Sequence, residues 1–167
     1  SLILNKYYLV EMYIRNFYRK KLIDTLVDNK FPVKIVGEWW DKYDKYDRIN
    51  LQKPVAFEQS LDMIAKSRIL ADSSPFFKMG VHDRVYAGMA NNTVVMTDSN
   101  KYRENILNGI AQMYHLNDID DICMKADKLL NDRAYYENLV YNAHKEYEYN
   151  YTWNKVGERI IKHFLCE

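Results

Sequence analysis

Apolar positions first recur along the chain at helical spacing. Between about Lys6 and Asn29, Val10, Ile14, Phe17, Tyr18, Leu22 and Leu26 follow a helical period, and Asn29 with Pro32 marks the stop. The period then changes. Val33-Lys34-Ile35-Val36 is a largely β-branched run closed by Gly37, which predicts a strand. Glu38 to Asp47 mixes charges and aromatic rings without a period and predicts a loop. Ile49 to Val55 predicts a second strand, interrupted by Pro54.

Glu58 to Lys66 predicts a short helix, Arg68 to Ala71 a third strand, and Ser73-Ser74-Pro75 a turn. A helix follows over Val81 to Ala90, bounded by Gly80 and by Asn91-Asn92. Thr93 to Thr97 is the most strand-like run of the protein. Asp98 and Ser99 offer N-caps for a helix over Lys101 to Leu107, and Ile110 to Tyr114 predicts a last strand. Three amphipathic patterns close the chain. Ile122, Ala126, Leu129 and Leu130 share the first face; Tyr136, Leu139, Val140, Ala143 and Tyr147 the second; Trp153, Val156, Ile160, Ile161 and Phe164 the third.

Strands alternating with helices predict an α/β fold, with a Rossmann-like, mostly parallel sheet covered on both faces and extra carboxyl-terminal helices. The length, 167 residues, fits one such domain over 1–167, with 1–14 a possible linker from an upstream domain. Opening on Ser1 rather than Met, the chain is expected to be a trimmed or excised piece of a longer polypeptide. No apolar run approaches the roughly 18 residues of a membrane span, and no signal peptide is evident, so a cytoplasmic location is expected. Lys and Arg number 24 against 23 Asp and Glu, which gives no electrostatic reason to expect nucleic acid. Cys123 and Cys166 form neither a metal-ligand pair nor a disulfide framework, and Cys123 is expected to be a buried thiol. His115, His144 and His163 are scattered and read as surface or helix-end residues.

Candidate chemistry concentrates in Ser73 to Asn100, SSPFFKMGVHDRVYAGMANNTVVMTDSN. A helix opening just after a glycine presents free backbone N–H groups and a partial positive charge, which suits a phosphate. Arg84 in its first turn can add a bidentate contact, with His82 and Asp83 beside it. The plainer alternatives are that Asp83 only favours the helix dipole and that Arg84 only pairs with Asp83 or Asp98. Asp98 with Ser99 reads as a helix cap ahead of a catalytic pair. Trp39 and Trp40 either line a cleft or cap the core. Arg19, Lys20 and Lys21 read as a solvated helix face ahead of a reach toward a phosphate.

The run GVHDRVYAGMANNTVVMTD resembles the signature of CgeB-like glycosyltransferases, and the whole carboxyl-terminal half of GT-B enzymes is similar in order of parts. RKKLIDTLVDNKFPVKIVGEWW resembles that family's opening helix, strand and Gly-aromatic turn. PVAFEQSLDMIAKSRILADSSP resembles its next helix and strand, and LLNDRAYYENLVYNAHKEYEYNYTWNKVGERII its closing helices, with Thr152 and Trp153 as the Thr-Trp pair. The likeness covers roughly residues 15 to 165.

The resemblance implies a nucleotide-sugar donor, such as a UDP- or GDP-sugar, bound by this half. It implies an acceptor-binding half upstream in the natural chain, and no bound metal or other cofactor. It implies that Gly80, His82, Asp83 and Arg84 face the diphosphate and sugar. Ser74 and Pro75 would end the preceding strand at the same rim, with Val55, Ala56 and Phe57 beside the base. It assigns no catalytic residue. Retaining GT-B enzymes of related families carry two glutamates separated by seven residues, and this chain has Met79 and Ala87 there. Neither side chain accepts a hydroxyl hydrogen bond. His82, Asp83 and Asp98 are candidate substitutes, and the alternative is a GT-B-like assembly or recognition module without catalysis. A flavodoxin-like signalling domain, the remaining rival, needs an acidic cluster after the first strand, where only Glu38 stands.

Overall fold

The first helix is set by the apolar spacing just described. In the computed structural model, which describes residues 2–165, α1 runs over Leu2–Asp28. Leu22 and Leu26 of its second half are buried against the sheet, whereas Tyr7, Tyr8, Leu9 and Tyr13 of its first half, and Phe17 just past its middle, stay exposed. The stretch 2–14, read above as a possible linker, therefore belongs to this helix. The helix stops in a Schellman arrangement. Phe31 N–H donates to Leu26 O at 3.0 Å and Lys30 N–H to Val27 O at 3.0 Å, with Lys30 left-handed at φ 63°.

The remaining elements are β1 (Lys34–Val36), β2 (Asn50–Gln52), α2 (Phe57–Ala65), β3 (Ile69–Ala71), α3 (Asp83–Ala90), β4 (Val94–Asp98), α4 (Lys101–Ile106), β5 (Gln112–Tyr114), α5 (Ile119–Asn131), α6 (Arg133–Asn150) and α7 (Trp153–Leu165). The aromatic loop between β1 and β2 holds two single 3-10 turns, Trp40–Lys42 and Tyr46–Arg48. Every strand pairing is parallel, as the alternation predicted. The strands nevertheless divide into two ladders, β1–β2 and β3–β4–β5, where one sheet was expected. β4 has five residues and pairs along both edges; the three-residue β1 and β2 pair only with each other.

β4 organises the core because successive side chains of a strand point to opposite faces. Val94 and Met96 meet Leu22, Leu26, Tyr114, Ile122, Ala126, Leu129 and Leu139 on one face. Val95 meets Val85, Met89, Leu107, Ala111 and Ala143 on the other. Helix α6 serves both faces through Leu139 and Ala143. Gly88 lets α3 lie close to the sheet, since a Cβ there would run into Val95 Cγ2 and stand 3.3 Å from Thr93 O. The third amphipathic face, on α7, is present but uncovered: Trp153, Ile160, Ile161 and Phe164 are exposed. Cys123 is half-buried rather than buried, because its neighbour Ile122 takes the inward position of α5. Cys166 lies outside the described residues.

Candidate functional site

Parallel strands bring their carboxyl ends to one rim. At the rim of the larger ladder, β3 is followed by Asp72, β4 ends in Thr97 and Asp98, and β5 ends in Tyr114. All four are buried, so each polar atom needs a partner inside the protein. Asp72 Oδ2 accepts from Ser74 Oγ at 2.7 Å and Thr97 Oγ1 at 3.3 Å. Tyr114 Oη donates to the Asp72 carbonyl at 2.7 Å, bridging from β5 to the exit of β3. Burial and the nearby Asp98 and Asp72 carboxylates raise the Tyr114 phenol well above its ordinary value, so it remains a donor.

Asp98 accepts from Ser74 N–H at 2.6 Å and pairs with Arg103 at 2.7 Å. Arg103 has 0% exposure, and its Nη1 and Nη2 also donate to the carbonyls of Asp98 (2.7 Å) and Ser74 (2.8 Å). A buried pair of this kind is tolerated because further hydrogen bonds occupy other donors and lone pairs of the two groups. Among the described residues, Ser73 Oγ and Arg103 Nε are the buried side-chain polar atoms left without a partner.

Above this network, the chain from Phe76 to Met79 is exposed and turns through Gly80 into α3. His82 is the N-cap, its Nδ1 lying 3.3 Å from the Arg84 N–H. The same Nδ1 also touches the Asp83 carboxylate. The first contact needs a lone pair and the second a proton, so one nitrogen does not serve both. Since Asp83 is exposed and met by water, the cap is the contact that organises the helix start. Among the described residues, none accepts from the backbone N–H groups of Gly80, Val81, His82 or Asp83. One of these donors, the Asp83 N–H, stands at the positive end of α3, and the other three lie in the turn that leads into it.

The Arg84 guanidinium reaches back to Asp72 Oδ1 at 3.1 Å through Nη1. Its Nε and Nη2 have no partner among the described residues. Arg19 of α1 faces the same place. Burial lowers its pKa, the Arg84 and Arg15 charges lower it further, and Asp72 acts the other way. The first helix thus carries a half-buried cation within electrostatic reach of Arg84 and Asp72, where the sequence put a solvated face ahead of a phosphate contact.

The expected site residues divide accordingly. Gly80, His82, Asp83 and Arg84 come together at the start of α3. The alternative pairings of Arg84 with Asp83 or Asp98 are replaced by Asp72, which sequence reasoning missed. Ser74 and Pro75 are near the same rim but buried, and Ser74 spends its N–H and hydroxyl on the two aspartates. Asp98 and Ser99 do not cap α4. The β4 ladder continues through Asp98, opposite Tyr114, so the cap passes to Asn100, whose side chain accepts from Arg103 N–H at 3.0 Å.

Val55, Ala56 and Phe57 follow the carboxyl end of β2, in the smaller ladder. There Phe57 is exposed and the Ala56 N–H is already taken by Gln59 Oε1 at 3.2 Å. Trp39 is left-handed at φ 71° and 75% exposed, whereas Trp40 packs edge-on against Tyr43. One tryptophan is thus free to meet a ligand and the other belongs to the loop's own packing. Met79 is 81% exposed, and Ala87 sits within α3. His144 Nδ1 lies 3.3 Å from Met89 O, and the other two histidines are at the surface. Two surface hollows lie away from this rim, one between α1 and the start of α5 and one along α6. The start of α3, with Phe76 to Met79 exposed ahead of it and Asp83 exposed in its first turn, forms an open ledge.

Residues 15–162 match the model of the family described as glycosyl transferase-like. The chain belongs to that family. A search of curated proteins finds no significant match. Among solved structures, that of TarM superposes with a TM-score of 0.66 at 16% identity, over 91% of this chain and 32% of the TarM chain. The shared fold is α/β, with parallel strands flanked by helices, and this chain spans about a third of TarM's length. Among the described residues, no helix is long and apolar enough to cross a membrane.

Proposed function

We propose that this member of the glycosyl transferase-like family is the donor-binding half of a CgeB-like GT-B enzyme, seating the diphosphate of a nucleotide sugar at the start of α3. The observation that carries the reading is the free edge of Arg84 in the first turn of α3, with the N–H of Asp83 and those of the three residues before it left unpaired. Donors fixed before the ligand arrives stabilise a departing diphosphate without reorganising. The sugar's anomeric carbon leaves the diphosphate oxygen, which keeps the bonding pair, and an acceptor oxygen or nitrogen takes its place. That acceptor comes from an upstream half, facing the open ledge. This chain alone binds donor and turns nothing over, because transfer requires both substrates held in one closed cleft.

The test is a thermal titration with UDP, GDP and UDP-glucose. A ligand at a hundred times its dissociation constant adds about 2.7 kcal/mol of stability. Arg84→Ala should abolish the shift, and an unchanged shift would remove Arg84 from the seat. One feature favours a second reading, a recognition module without catalysis: neither Met79 nor Ala87 supplies a carboxylate. A donor that binds but is never consumed by the full-length protein would decide for it.

A further inference from the structure

Arg84 and Asp72 form an unequal pair. The arginine side chain is 40% exposed and the aspartate 1%. The buried member is held from several directions: Ser74 Oγ and Thr97 Oγ1 reach its carboxylate, Met96 O accepts its N–H at 2.8 Å, and Tyr114 Oη caps its carbonyl. It contacts the guanidinium through Nη1 alone, at 3.1 Å. A guanidinium has five N–H donors in a planar fork, so one contact at Nη1 leaves the Nε–Nη2 edge complete for a second partner.

We propose that Asp72 is a positioning residue, which pins Arg84 from below so that its free edge stands ready for an anion at the start of α3. The inference rests on the reading of that turn as a diphosphate seat. An arginine free in solvent loses rotamer freedom when a ligand captures it; one already held by a rigid carboxylate loses less. The charge of Asp72 acts against this, since a carboxylate near the seat repels an anion. The two effects have opposite signs, which makes the proposal testable. Positioning predicts that removing the charge weakens anion binding, and simple electrostatics predicts that it tightens.

The experiment is calorimetric titration of inorganic pyrophosphate into the wild-type chain, Asp72→Asn, Arg84→Ala and the double variant, each with its melting temperature recorded. Asp72→Asn should weaken binding about tenfold, a loss in the range of one charge-assisted hydrogen bond. Arg84→Ala should weaken it at least as much, and the double variant no further than Arg84→Ala alone. Unchanged or tighter binding by Asp72→Asn overturns the proposal. So does a loss that persists when Arg84 is already absent, because that marks a general disturbance of the fold.

Should Asp72→Asn not fold, Thr97→Val removes one support of the carboxylate. It should cost about threefold, again only when Arg84 is present. Wild-type protein that binds neither pyrophosphate nor UDP overturns this inference together with the diphosphate reading. Binding that depends on Arg84 but not on Asp72 or Thr97 leaves the reading standing and removes this inference alone.

Discussion

The two ladders are built from the same kind of short parallel strand and differ in what covers them. β4 is buried at all five positions and touches a separate apolar cluster on each face. In the other ladder β1 buries Ile35, and β2 has no buried residue. The polar groups that shape the candidate site, Asp72, Asp98, Arg103 and Arg84, all belong to the deep ladder or its connections. The shallow one carries Trp39 and the corner at Ala56 and Phe57, side chains with few neighbours to hold them. Segments with few buried apolar contacts open at the least cost. The lesson is a division of labour: a deep frame fixes the donors, and a shallower one presents exposed aromatic surface.

The strongest way to break this contrast is Arg103→Ala. It strands Asp98 as a buried charge and takes from the Ser74 carbonyl one of its two donors, the other being the Phe77 N–H, so a loss of about 3–5 kcal/mol is expected from chemical denaturation. A loss below 1 kcal/mol would show that the rim is not a stability-bearing region. Next comes Gly88→Ala, behind β4, where the new methyl collides with Val95; about 1–3 kcal/mol should be lost. In the shallow ladder, Ile35→Val should cost about 1 kcal/mol or less by the same measurement. A cost matching that of Arg103→Ala would erase the distinction.

The smallest effect is a pH dependence at the exit of β5. Burial by itself raises the Asp121 carboxyl, but the His115 N–H and the Lys125 ammonium more than offset it and hold the group below its ordinary value. Its stabilisation is therefore full above the unfolded value of about 3.9 and disappears as pH falls through the folded one. Asp121→Asn should be slightly less stable than wild type at pH 7, with the gap closing below about pH 4. A gap that persists in acid would assign the effect to shape rather than charge.

Period and turn chemistry made most of the elements legible. The β-branched run 33–36 holds β1, and the run 93–97 holds β4 within a residue at either end. Competition among polar residues defeated the reading at Asp98. In Thr97-Asp98-Ser99-Asn100 all four consecutive side chains are able to cap, and local pattern does not tell how far the ladder runs before the helix starts. Arg103 looks like one more solvated charge within KYREN; it is buried because Asp98 and two carbonyls need its donors. Asp72 carried a signal that went unused, a carboxylate directly after a strand and just ahead of two serines. The α7 face was read correctly as amphipathic, but amphipathicity names a buried side only when something lies against it.

The phenol of Tyr114 has a mechanical consequence. Running from the last residue of β5 to the carbonyl just past β3, it works as a strut across the tip of the strand between them. The spacing between the two outer chain exits is then set by the length of one aromatic ring. Widening that spacing means breaking a buried bond.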